Sequence, residues 1–147
     1  MGESGTETME LNDCMNFLLS VSQNKVFKYF SKLLEEYGIT PSQYGVLNVL
    51  WREGQLTPKQ IGEMLFLEAS TVSGVLDKMH KAELIERSAD PKNRRNVFVI
   101  ATQKSLEIRN GVEAATIKLN QKVLLNMTDN DKLALKNALN TIIMTEF

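Results

Sequence analysis

Residues 56–87 read LTPKQIGEMLFLEASTVSGVLDKMHKAELIER, and the spacing within them decides the fold. Thr57 can cap a helix. Pro58 suits the first helical position, where its missing N–H removes nothing, and Gln60 stands where it can reach back to the Thr57 N–H. These signals predict a short helix to about Leu65, followed by a break at Phe66–Glu68. Val72, Val75, Leu76 and Met79 then fall on one stripe, which predicts a second helix to about Ala82 or Glu83. This second helix opens with small polar residues, Ser70, Thr71 and Ser73. A short capped helix, a tight break and a helix with a polar start is the grammar of a helix-turn-helix. In that motif the first residues of the second helix face base edges in the major groove.

Working outward, Leu84–Arg87 and Asn96–Ala101 read as two strands flanking a loop, Ser88–Arg95, so a β-hairpin wing follows the second helix. On the other side, Thr40, Pro41 and Gln43 repeat the capping signal and predict a helix ending at the Arg52–Gln55 turn. Before it, Leu11, Cys14, Met15, Leu18, Val21, Val26, Phe30, Leu33, Leu34 and Tyr37 recur at helical spacing, which predicts one long helix, with Gly38 as the residue that ends it. Thr102 starts a further helix whose apolar positions, from Leu106 to Leu124, cover more than one face. Thr128 and Asp131 mark a last start, and Leu133–Phe147 completes the chain. The fold class is therefore mainly α. The expected division is a disordered tail over residues 1–10, a winged helix-turn-helix DNA-binding region over 38–101, and a helical dimerisation region over 11–37 with 102–147. These chain ends present more apolar helix surface than one winged helix can cover, so a second copy is the expected partner.

Charge supports this division. The whole chain carries −1, but residues 1–56 hold four Lys/Arg against seven Asp/Glu (−3), residues 57–104 hold eight against six (+2), and residues 105–147 hold five of each. The positive surplus lies where phosphate would be met, and local sign decides such an encounter. Candidate DNA-contacting residues are Thr57 and Lys59 on the first helix of the pair, Ser70, Thr71 and Ser73 at the head of the second, Lys78 and Lys81 farther along it, and Lys92, Arg94 and Arg95 in the wing. An arginine at a mobile wing tip can enter a narrow minor groove, where negative potential is concentrated.

Other classes find little support. No apolar run approaches the ~18 residues that span a bilayer, and the acidic start MGESGTETMELND has no apolar core of a secretory signal. One cysteine and one histidine make a zinc site improbable, and a cytoplasmic location is expected. No P-loop, Rossmann glycine fingerprint, G-x-S-x-G or H-E-x-x-H is present, so neither catalysis nor a cofactor is expected. The competing reading is a winged helix used only to bind other proteins, separable by the salt dependence of duplex binding.

The segments ITPSQYGVLNVL (39–50), LTPKQIGEMLFLEASTVSGVLDKMHKAELIER (56–87) and DPKNRRNVFVIAT (90–102) resemble the MarR family of bacterial winged-helix transcriptional regulators. The resemblance runs from about Leu11 to the C-terminus. It implies a homodimer with interlocked terminal helices, a palindromic operator, and release of DNA by a small phenolic or lipophilic effector or by cysteine oxidation. It also implies an acidic residue that steadies the wing, for which Asp77 and Asp90 are the candidates, the latter through Arg94 or Arg95. An equally good reading is that Asp90-Pro91 merely begins a turn. Family effector pockets lie between the dimer helices and the DNA-binding lobe, where Phe17, Val21, Tyr44 and Trp51 are candidate lining residues.

The departures from the family are specific. Gly74 replaces a frequent arginine of the recognition helix, Glu83 stands where glycine often ends it, Asn93 replaces a common aspartate, and ATQKS replaces L-T-x-x-G. In hydroperoxide-sensing members the reactive cysteine directly precedes the aromatic corresponding to Phe17. Here that place is Asn16, Cys14 lies two residues earlier, and an expected tyrosine is Ser20. Cys14 is therefore expected to be a packing residue of the first helix.

Overall fold

The computed structural model describes residues 7–147, apart from the side chain of Arg94. The proposed N-terminal tail falls partly outside the described residues; residues 7–10 are exposed and lie in no helix or strand. Six α-helices follow: α1 (Met15–Leu34), α2 (Pro41–Glu53), α3 (Pro58–Leu65), α4 (Ala69–Lys81), α5 (Gln103–Val123) and α6 (Asp129–Ile143). Three strands, β1 (Gln55–Leu56), β2 (Ile85–Asp90) and β3 (Asn93–Ala101), form an antiparallel sheet in the order β1-β3-β2.

The capping signals act as their chemistry dictates. Thr40 Oγ1 accepts from Gln43 N at 3.3 Å while Gln43 Oε1 accepts from Thr40 N at 3.1 Å. Thr57 and Gln60 repeat this box at 3.2 and 2.9 Å, and Thr128 with Asp131 forms a third. Each box satisfies two backbone donors that a helix start leaves unpaired.

The long first helix is interrupted where the sequence pattern was continuous. Leu11–Asp13 and Glu35–Tyr37 are 3-10 turns at either end of α1. Cys14 is consequently the N-cap of α1 in an extended conformation, not a residue within the helix. Apolar periodicity cannot distinguish a continuous α-helix from one flanked by tighter turns, because side chains keep facing the same side. Gly38 ends this segment at φ 70° as expected.

The wing also differs from expectation. β2 and β3 extend into the proposed Ser88–Arg95 loop and leave only Pro91 and Lys92 as the turn. Arg94 and Arg95 are thus strand residues and not the hairpin tip. Ala89 opposes Val97, yet the next residue, Asp90, opposes Asn93. Arg94, Arg95 and Asn96 therefore have no opposite residue and form a bulge, a device that bends a strand and redirects its side chains. The sequence pattern also missed β1, two residues long, whose Gln55 and Leu56 pair with Ile100 and Val99.

The core is built from Leu34 of α1, Leu47 and Leu50 of α2, Ile61 of α3, Leu76 and Met79 of α4, and Ile85 and Val99 of the sheet, all almost fully buried. It holds the helix-turn-helix rigidly against the wing base. α6 differs: it buries none of its residues in its own chain.

Candidate nucleic-acid interface

The turn between α3 and α4 is closed tightly. Phe66 caps α3 in the left-handed region at φ 56°, and Leu67 N donates to Gly62 O at 2.9 Å. A Cβ at Gly62 would stand 3.0 Å from Leu67 O and 3.3 Å from Val72 Cγ2. Glycine at this position therefore lets α4 start directly over α3. Val72, Leu76 and Met79 anchor the inner face of α4.

The outer face of α4 then follows from helical spacing. Ser70, Thr71, Ser73, Gly74, Asp77 and Lys78 are exposed, as are His80 and Lys81 in the last turn. The N-cap is Glu68, whose side chain makes no capping bond. Ser70, Thr71 and Ser73 thus retain the exposure that base reading requires. Lys59 is exposed on α3, whereas Thr57 is half-buried and commits its oxygen to the capping box. Lys92 and Arg95 are exposed on the wing; the side chain of Arg94 lies outside the described residues.

A cleft of about 1140 Å³ lies between the two helices and the wing, lined by Lys59, Phe66, Ser73, Asp77, Arg87 and Val97 among others. Of the sequence-derived candidates on α3 and α4, Lys59, Ser73 and Asp77 border this groove with the wing strands, whereas Thr57, Ser70, Thr71, Lys78 and Lys81 do not line it. Across it, Arg87 Nη2 donates to Asp77 Oδ1 at 2.8 Å. Of the two acidic candidates, Asp77 is the one paired with an arginine of the wing, and that partner is on β2. Asp90 makes a different contact: its Oδ1 accepts from Lys92 N at 2.9 Å, the turn-forming alternative, and no bond to Arg95 is found. Asn93 Oδ1 similarly accepts from Arg95 N at 3.1 Å. The wing is shaped by short polar side chains folding back on the backbone.

None of the proposed effector-pocket residues Phe17, Val21, Tyr44 and Trp51 lines the cleft described above. Trp51 is buried, with the Arg109 guanidinium 5.8 Å from its ring centroid. Tyr44 packs edge-on against Phe30 at 5.3 Å, Phe17 is half-buried, and Val21 is exposed. Cys14 is half-buried. Sequence reasoning missed Arg87, although its place two residues after Ile85, at the start of the wing, puts it within reach of an acidic residue on α4. It also missed Lys104, which donates to the end of α4.

The family model of the MarR family matches residues 39–97, the span from the start of α2 to the middle of β3. The organic hydroperoxide resistance transcriptional regulator of Bacillus subtilis (strain 168) is 30% identical over 143 residues, 97% of this chain and 96% of that protein. The chain belongs to the MarR family. It is a DNA-binding transcriptional regulator. The same fold is seen in a cysteine-to-serine mutant of MarR from E. coli complexed with operator DNA, with a TM-score of 0.82, 20% identity, and coverage of 92% of this chain and 99% of that chain. It is also seen in BpsR of Bordetella bronchiseptica, whose DNA binding is regulated by 6-hydroxynicotinic acid. That match has a TM-score of 0.88 and 18% identity, covering 95% of this chain and 100% of that chain. No helix among the described residues of this MarR-family regulator is long and apolar enough to cross a membrane.

Proposed function

We propose that this chain is an effector-responsive repressor that binds a pseudo-palindromic operator as a homodimer. The supporting observation is the shared groove: exposed Ser73 of α4, Lys59 of α3 and the β2–β3 wing border one cleft. In the docked complex α4 enters the major groove, Ser70, Thr71 and Ser73 meet base edges, and Lys59, Lys78 and Lys81 meet phosphates. Lys92, Arg94 and Arg95 reach the neighbouring minor groove, so the intervening backbone passes over the cleft.

The homodimer rests on α6 and the outer face of α1. Leu133, Leu139, Ile142 and Ile143 are exposed on a helix that buries none of its residues in its own chain, Met144 is exposed at its C-cap, and Met15, Leu18 and Val21 are exposed on α1. A second copy covers these faces and places two α4 helices on half-sites one helical turn apart, ~34–36 Å. Residues 11–37 and 102–147 thus form the dimerisation region and 38–101 the DNA-binding region. A small lipophilic or phenolic effector, held between them near Phe17, Val21, Tyr44 and Trp51, changes the pose of the two reading heads. BpsR supports this by analogy of fold.

Selecting duplexes from a random-sequence pool tests the reading. It expects an enriched inverted repeat, bound with a steep decline of log affinity against log salt. Thr71→Ala and Ser73→Ala should each cost about 1–3 kcal/mol at one base position. Salt-insensitive binding with no enriched sequence would instead indicate a protein-interaction module.

A further inference from the structure

The recognition helix α4 ends in an unusual way. Glu83 N donates to His80 O at 3.0 Å and Leu84 N to Met79 O at 2.9 Å, the paired bonds of a Schellman motif. The motif needs a left-handed residue at Glu83, which holds φ 60° without being glycine. Three successive carbonyls beyond the helix are left facing outward, those of Ala82, Glu83 and Leu84. All three are taken by the first turn of α5. Lys104 Nζ donates to Ala82 O at 2.8 Å, Thr102 Oγ1 to Glu83 O at 2.7 Å, and Thr102 N to Leu84 O at 3.1 Å.

We infer that Lys104, with Thr102, is a positioning residue for DNA reading: it fastens the C-terminal end of the recognition helix to the helix that carries dimer geometry. The inference rests on the homodimer reading above. α5 packs along α1 and approaches the Glu35–Tyr37 turn so closely that a Cβ at Gly111 would run into the Tyr37 ring. α5 is therefore held at its middle by the dimerisation region and at its start by α4. At ~1.5 Å per residue, the eight residue steps from Gln103 to Gly111 make it a strut of roughly 12 Å between them. The Lys104 ammonium suits the task twice over: it fills an orphan carbonyl, and its charge meets the negative end of the α4 dipole. One of its three N–H donors is held by the Ala82 carbonyl, and on this inference that bond, through α4, is what the residue contributes to reading. Thr102 cannot be tested cleanly, because Thr102 Oγ1 also caps α5 by accepting from Ser105 N at 3.3 Å.

If the strut fixes where each α4 points, it also fixes the half-site spacing the dimer tolerates. The test compares two duplexes: the best binder selected by the wild-type protein from a random pool, and the same duplex with one base pair inserted between the half-sites. Wild-type protein should prefer the first strongly. Lys104→Met keeps the side-chain stem but loses the donor, and should reduce that preference by roughly threefold or more, with the salt slope and the preferred bases unchanged. Lys104→Arg, which restores a donor, should recover the preference. An unchanged spacing preference in Lys104→Met would overturn the inference, even if the melting temperature falls, because the contact would then be structural only. A reduced salt slope with unchanged spacing preference would also overturn it, by showing a phosphate contact. Wild-type protein that selects no duplex would sink the functional reading itself, and this inference with it.

Discussion

Asp77 of α4 and Arg87 of β2 are joined by a 2.8 Å ion pair that crosses the groove between the recognition helix and the wing. Their side chains are 57% and 35% exposed, so the pair contributes little to overall stability, about 0.2–1 kcal/mol. Its consequence is geometric. The wing is attached at its base through Ile85 and Val99, and the pair, at the level of Val99 on the neighbouring strand, adds a direct tie to the recognition helix. A double-mutant cycle with Asp77→Asn and Arg87→Gln should show small coupling in thermal unfolding and larger coupling in duplex affinity. Equal coupling in both measurements would mean that the pair only stabilises the fold. Asp77→Asn alone should still weaken specific binding, although it removes a negative charge from the face proposed to meet DNA.

Gly74 offers a gain-of-function test. A Cβ built there meets nothing within 4 Å, and the residue lies on the exposed face of α4. Gly74→Ala should stabilise the helix by up to ~1 kcal/mol, since glycine is a poor helix former. Gly74→Arg should fold equally well and bind duplex more tightly. Each phosphate newly contacted steepens the log–log salt slope by roughly 0.9, so a dimer gains about twice that. Tighter binding with an unchanged slope would place the new arginine on a base edge. No tightening at all would show that this face of α4 lies away from the duplex.

The dimerisation reading predicts a clean separation of functions. Because α6 buries no residue in its own chain, Leu139→Asp with Ile142→Asp should leave the winged helix folded but break the dimer. Sedimentation should then give a monomer at micromolar concentration, and the melting temperature should stop depending on protein concentration. Duplex affinity should fall steeply, since the two half-sites are no longer linked. A variant that still sediments as a dimer would place the interface elsewhere.

The helix-turn-helix was legible because its signals are local. Thr57-Pro58-x-Gln60 fixes one helix start through backbone chemistry, and Val72, Leu76 and Met79 fix the buried face of the next. The wing was less legible for physical reasons. β1 has two residues, too few to show any alternation, and exists only because β3 offers it an edge. The bulge at Arg94–Asn96 arises because Asp90 and Asn93 close the turn through their own side chains, so polar residues that look like loop become strand. Asp77 was singled out, but its partner was not, because ten residues of sequence separation become a contact only after the hairpin folds back across α4. The staple at Lys104 was equally hidden, since its acceptors are backbone carbonyls that no residue type announces.

The bulge changes what the wing arginines are expected to do. At a flexible tip, Arg94 and Arg95 would reach DNA only at an entropic cost. In an irregular segment of β3 fastened by Asn93 Oδ1 to Arg95 N, the backbone that carries them is already ordered. Removing one charge from each subunit should therefore lower affinity and the magnitude of the salt slope together, by roughly 0.9 per lost phosphate contact. Base preference at the major-groove positions should stay the same, because α4 is untouched. Preference at the flanking positions should relax, because a narrow A·T-rich minor groove no longer gains from an inserted guanidinium. Gel shifts across a salt series with Arg94→Ala, Arg95→Ala and the double variant test this, on duplexes that differ only in their flanks. Asn93→Ala adds a further check: it leaves both charges in place but removes the fastening, so it should weaken binding while leaving the salt slope intact. Unchanged affinity, slope and flank preference in the double arginine variant would mean that the wing does not enter the minor groove, and that reading is confined to α4.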